Sequence, residues 1–140
     1  SPIVAQGNIS ENHAFGTLRG FHYQQGSHAE AKTISCMTGS IYDVVIDLRR
    51  SSPTFMQWRS AEISADDRRS IYVPAGCANA WITTSPETVL HYYMSEIFAP
   101  DSACGIRYND PTFEVGWPMV PEVISERDRT FPDFDLDLLE

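Results

Sequence analysis

Turn signals recur along this chain about every ten residues, and that spacing excludes most folds. Between them lie short runs rich in β-branched and aromatic residues: Ala31–Thr38, Ile41–Leu48, Phe55–Ile63, Ser70–Val73, Ala80–Thr84 and Thr88–Ile97. The breaks are explicit. Gly39-Ser40, Ser51-Ser52-Pro53 and Pro74-Ala75-Gly76 supply the dihedrals of tight turns or end a hydrogen-bond ladder. No amphipathic helix of useful length precedes residue 120. One short helix is expected at Ser125–Arg129, with Ser125 as its cap. Strands this short and this evenly spaced build an all-β sandwich or barrel. At 140 residues and 42% hydrophobic, residues 1–140 are expected to form a single domain with its own core. There is no linker, repeat or low-complexity stretch.

Charge and cysteine content narrow the partners. A net charge of -9 argues against a nucleic-acid backbone. Of ten basic residues nine are arginine, whose planar fork suits carboxylate and phosphate. Arg49–Arg50 and Arg68–Arg69 fall at apparent strand ends, where solvated side chains are expected. The stretch after Asp128, RTFPDFDLDLLE, reads as an acidic, exposed tail. Cys36, Cys77 and Cys104 are odd in number and widely spaced, with no CxxC pair. Neither a structural zinc nor a disulfide framework is indicated, and each thiol is expected as a small buried hydrophobe. No apolar run approaches a membrane span and no signal peptide is legible, so a reducing cytoplasm is the expected setting. The chain opens on Ser1-Pro2 rather than methionine, which points to residues missing upstream.

The chemistry concentrates in Gly16–Gln24, GTLRGFHYQ. His22 stands among Leu18, Phe21 and Tyr23, with Arg19 before it and the lone lysine, Lys32, after it. An imidazole in an apolar wall near cations is a candidate general base. The run also matches half of the metal-binding motif of cupins, which are double-stranded β-helix jelly rolls. Those proteins carry His-x-His after a glycine, and a further histidine three residues beyond a Pro-x-Gly. Here Gln24 stands where the second histidine belongs, and Asn79 follows Pro74-Ala75-Gly76. Glu30 can imitate the acidic ligand, but one imidazole and one carboxylate are too few for zinc, iron or manganese. The expected fold is therefore all-β, a cupin jelly roll with a short helical C-terminal segment. The expected chemistry is proton transfer without a metal or other cofactor.

A closer resemblance covers Asn8 to Asp128. The segments GTLRGFHYQ, AKTISCMTGSIYDVVIDLRRSSPTF, YVPAGCANAW, GIRYNDP and SERD occur here in the order found in the dTDP-4-dehydrorhamnose 3,5-epimerase family. The resemblance implies a cofactor-free, homodimeric epimerase of a nucleotide-linked 4-keto-6-deoxy sugar. By the same resemblance His22 matches the catalytic base and Asp128 the carboxylate paired with it. Lys32 matches the lysine beside the keto oxygen, Tyr92 the acid, and Arg19 an arginine on the diphosphate. Asp43 falls on an aspartate lining the pocket, and Gln24, Asn79 and Trp81 on substrate-binding positions. Trp58, Trp81 and Trp117 are also expected in the core, with Trp81 able to wall the pocket. Strand alternation sends Tyr92 and Tyr93 to opposite faces, so this assignment depends on register.

The chain departs from the family pattern beside the sugar. Asn79, Ala80 and Trp81 replace histidine, glycine and phenylalanine; Ile97-Phe98 replaces Tyr-Tyr; Tyr93 replaces a lysine. The N-terminal arm that reaches the partner's site in the family is mostly absent from this sequence. Drift at recognition positions beside retained catalytic types suits a different nucleotide sugar, or epimerisation at one carbon only. A metal-dependent cupin enzyme and a non-catalytic sugar-binding cupin are the alternative readings.

Overall fold

A computed structural model describes residues 3–140. Ten strands form two facing sheets: β1 (Gln6–Asn12), β2 (Thr17–Gln24), β3 (Lys32–Thr38), β4 (Ser40–Asp47), β5 (Trp58–Ser64), β6 (Ser70–Val73), β7 (Cys77–Thr83), β8 (Thr88–Met94), β9 (Ala103–Gly105) and β10 (Val123–Ile124). One sheet runs β1-β8-β3-β6 and the other β10-β2-β7-β4-β5, with β9 added beside β2. Neighbours pair antiparallel except β10 with β2. The one α-helix among the described residues, α1 (Glu126–Arg129), is capped by Ser125, whose hydroxyl accepts from the Asp128 amide at 3.1 Å. The all-β architecture of two packed antiparallel sheets read from the sequence is thus the one found.

The core has two layers, and β4 shows why. Ile41 faces the space between the sheets with Ile34, Ile63, Val73, Trp81 and Leu90. Val44, Ile46 and Leu48 point the other way and would be wet if nothing covered them. Phe21, Ile106, Phe113 and Leu139 cover them, with Trp117 and Phe134 packed alongside. The acidic C-terminal segment is exposed over most of its length, as expected, but it is anchored to the core by buried Leu139 and half-buried Phe134. Phe113 and Phe134 rings pack 5.2 Å apart, and the Phe134 amide donates to Asp110 at 2.7 Å. Arg50 donates to the Leu136 and Leu139 carbonyls at 3.0 Å each, so it too is structural and not simply solvated. Its neighbour Arg49 pairs with Asp47, which also accepts from Ser52 and Thr54 and so ties down the β4–β5 loop.

Other sequence expectations shift at their ends. The run Phe55–Ile63 becomes strand only at Trp58, because the chain is still turning before it and Met56 adopts φ 68°. The run Ala80–Thr84 begins earlier, at Cys77, because β4 offers it a partner as far as Asp47. The run Thr88–Ile97 ends at Met94. Strand β1 has no sequence signature, since QGNISEN is polar and carries glycine and asparagine. Its register against β8 is what makes it a strand. Of the cysteines only Cys77 is buried; Cys36 and Cys104 are half-buried.

One irregularity builds the site. On β2, Arg19 pairs with Trp81 but His22 pairs with Asn79, so three steps on β2 face two on β7. This bulge lets Arg19 and His22 both face the cavity, whereas strict alternation would put them on opposite faces. Phe21 is turned outward into the second core layer. Gly20 permits the bulge. It has φ 110°, and a Cβ there would lie 2.5 Å from the Asn79 carbonyl oxygen and 2.8 Å from Ala80 Cα. Gly20→Ala should therefore destabilise the fold by about 2–4 kcal/mol, read as a lowered denaturation midpoint. A midpoint within error of the unsubstituted protein would show that the bulge tolerates a side chain.

Candidate active site

His22 is the centre of the site. Its Nε2 lies 2.7 Å from Asp128 Oδ1, although the two are 106 residues apart in sequence. The short helix α1 carries Asp128 to this place, and the Gly20 amide holds its other oxygen at 3.1 Å. Burial pushes the Asp128 carboxyl up, but hydrogen bonding and charge from His22 outweigh it and hold it below the usual carboxylate range. An ionised Asp128 accepts from Nε2–H, so Nδ1 keeps the free lone pair. The imidazole is 41% exposed, open on the cavity side. Phe131 packs edge-on against it at 6.2 Å, over Gly105, where any Cβ would collide with the Phe131 ring.

Two adjoining hollows meet at this imidazole. One, of about 150 Å³, is walled by Arg19, His22, Lys32, Ile34, Asn79, Trp81 and Tyr92. The other, of about 260 Å³, shares His22, Lys32 and Tyr92 and adds Gln24, Glu30 and Arg127 among its walls. Tyr92 faces inward, while Tyr93 is 46% exposed on the outer face. Burial raises the Tyr92 phenol above its ordinary value, opposed by the charge of Arg19, so the group stays protonated.

Lys32 is almost wholly enclosed, with Nζ 3.8 Å from Glu30 Oε1. Burial lowers its pKa, and the carboxylates of Glu30 and Asp43 oppose that shift. Burial likewise raises Glu30, against the pull of Lys32. Arg19 is exposed at the mouth, with Nε donating to Asn12 Oδ1 at 3.1 Å. Trp81 belongs both to the inner core and to the cavity wall.

Two expected substrate contacts stand differently. Asp43 lines neither hollow around His22. It sits behind Asn79, which donates to it at 2.8 Å, and burial pushes its carboxyl up to about 7. Gln24 does wall the larger hollow, but its amide is engaged by backbone: it donates to the His28 carbonyl and accepts from the Ala99 amide, both at 2.8 Å. It fixes the loops around the mouth. Sequence reasoning missed Arg127 and Phe131. Both follow from the placing of α1, and nothing in their local sequence pattern marks them. Among the described residues no three His, Cys, Asp or Glu side chains converge as a metal cluster would. No helix among them is long and apolar enough to cross a membrane.

The architecture has relatives. Residues 2–135 match the family model described as dTDP-4-dehydrorhamnose 3,5-epimerase. A protein of that name from Mycobacterium tuberculosis is 38% identical over 135 residues, which cover 94% of this chain and 66% of the relative. The chain thus spans about two thirds of the length of the first curated relatives it matches. The crystal structure of dTDP-4-dehydrorhamnose 3,5-epimerase from Bacillus anthracis, with TDP and PPi bound, superposes with TM-score 0.92 at 38% identity. It covers 96% of this chain and 77% of that one. A 3'-monoepimerase from Streptomyces bikiniensis in complex with dTDP-quinovose superposes with TM-score 0.85 at 33% identity, covering 93% of this chain and 66% of that one. Sequence and backbone agree over nearly the whole chain, and on that ground it belongs to the dTDP-4-dehydrorhamnose 3,5-epimerase family.

Proposed function

We propose that this protein is a cofactor-independent epimerase of a nucleotide-linked 4-keto-6-deoxy sugar, inverting C3, C5 or both. The observation that carries this reading is the His22–Asp128 pair at 2.7 Å, opening on a cavity that also holds Lys32 and Tyr92. The substrate is dTDP-4-dehydro-6-deoxyglucose or a close relative, and the product dTDP-4-dehydrorhamnose or its counterpart. Relatives solved with TDP or a dTDP-sugar support a nucleotide-sugar ligand. The setting is the cytoplasm and the working form a homodimer.

The mechanism follows from the residue chemistry. A hydrogen on a carbon beside the ketone is acidic only if the resulting negative charge can rest on the carbonyl oxygen. His22 Nδ1 takes that proton; the C–H electron pair becomes the C=C bond of an enolate as the C=O π pair moves onto oxygen. Asp128 holds the ring's orientation and stabilises the imidazolium. The Lys32 ammonium stands at the enolate oxygen; a preorganised donor of this kind contributes about 3–4 kcal/mol to barrier lowering. Tyr92 delivers a proton to the opposite face of the same carbon: the C=C π pair forms the inverted C–H bond as the enolate oxygen's electron pair re-forms the C=O bond. Solvent then restores the phenol and the imidazole. Arg19 at the mouth offers its fork to the diphosphate. Trp81 walls the sugar.

The test is product formation from dTDP-4-keto-6-deoxyglucose, followed by NMR before and after prolonged chelator treatment. Ring protons should report inversion at C3, C5 or both, at the same rate in each sample. An unchanged sugar would contradict the reading. So would chelator inactivation reversed by one specific metal, which favours the metal-dependent alternative.

A further inference from the structure

Asn79 has an orientation that the surrounding atoms leave no freedom to change. It lies on β7 opposite His22 and is 4% exposed. Its Nδ2 donates to Asp43 Oδ1 at 2.8 Å and to the Val44 carbonyl at 3.2 Å. The Val44 carbonyl is an acceptor whatever the protonation state of Asp43, so the amide nitrogen and not the amide oxygen must face the barrel wall. The amide oxygen is the polar atom left for the hollow of about 150 Å³ that Asn79 lines together with His22, Lys32 and Tyr92. No described residue donates to it. The site thus presents a fixed acceptor that cannot rotate into a donor and has no titratable proton. Such an atom is complementary to a hydroxyl and to little else of a keto sugar, whose carbonyl and diphosphate oxygens are acceptors too.

We propose that Asn79 sets specificity by accepting a hydrogen bond from a free ring hydroxyl of the bound sugar, at C2 or C3 beside the ketone. The site then takes nucleotide sugars that carry this hydroxyl and discriminates against those deoxygenated there. A buried acceptor left without its donor loses its water and gains nothing in return, so the missing hydroxyl is felt strongly. This inference rests on the nucleotide-sugar reading of the cavity, and it gives Asn79 a selecting role and no part in proton transfer.

The experiment compares dTDP-4-keto-6-deoxyglucose with its 2-deoxy and 3-deoxy counterparts. Binding is measured by calorimetry, and deuterium entry at C5, which all three sugars retain, is followed in parallel. The unsubstituted protein should bind one of the two deoxy sugars roughly 10- to 100-fold more weakly than the parent. Asn79→Ala should lose the same factor on the parent and nothing more on that deoxy sugar, the non-additivity expected of two groups in one contact. Asn79→Thr keeps a hydroxyl to donate to Asp43 while removing the carbonyl. It should behave like the alanine variant, and it is the one read if alanine does not fold. Equal binding of all three sugars by the unsubstituted protein would overturn the proposal. A penalty that persists undiminished in the folded variant would overturn it too. Discrimination in binding with no deuterium entry at any carbon would leave Asn79's role standing and sink the epimerase reading. A parent sugar that does not bind at all would remove both.

Discussion

Replacing His22 by asparagine should lower turnover by roughly 10²–10⁴-fold while leaving the protein folded. The two halves of this expectation have separate grounds. The imidazole is 41% exposed, so its removal creates no core cavity. With Nε2 engaged by Asp128, Nδ1 is the nitrogen left to act as base, and no second histidine lines either hollow to take over. Asp128→Asn should slow the reaction less completely, because Asp128 orients the base and does not itself take the substrate's proton. The check is turnover and thermal midpoint measured on the same preparations. More than a tenth of the unsubstituted rate in folded His22→Asn would remove His22 from the role of base.

Tyr92→Phe should separate two events that are coupled in the intact enzyme. His22 can still take a proton and exchange it with solvent, but the proton for the opposite face has no donor. Inverted product should fall by about 10²–10⁴-fold, while wash-in of solvent deuterium with retained configuration survives. Tyr93→Phe should change little, since Tyr93 stands on the outer face beside His91, with ring centroids 4.5 Å apart. Product stereochemistry and deuterium content are compared for the two variants side by side. Loss of inversion in Tyr93→Phe, with Tyr92→Phe unaffected, would contradict the assignment of the acid.

The strands from β3 to β8 were legible because their residues are β-branched or aromatic and their turns carry glycine and proline. Strand β1 was not, because its polar residues become a strand only through pairing with β8. The tail was legible as exposed and acidic, but its anchoring was not, for a related reason. Its acidic residues dominate the composition, while Phe131, Phe134 and Leu139, spaced among them, do the packing. Burial of a segment depends on what the second face of a sheet lacks, and no local window shows that.

The site was legible as residue types, and less so as geometry. Tyr92 turning inward and Tyr93 outward follows from simple alternation on β8. Arg19 and His22 sharing a face does not, because it depends on the bulge at Gly20. Asp43 and Gln24 show the opposite limit. Both are buried polar groups at the expected positions, yet one sits behind Asn79 and the other is held by backbone. Which polar group meets a ligand depends on the partners its neighbours already supply.

The most direct measurement is proton NMR of dTDP-4-keto-6-deoxyglucose in deuterated water with the unsubstituted protein and with His22→Asn. The unsubstituted protein should place deuterium at C3, C5 or both, with inverted configuration at the same carbon, and His22→Asn should place almost none. A bound sugar that keeps both protons would contradict the account, as would exchange that continues undiminished without His22.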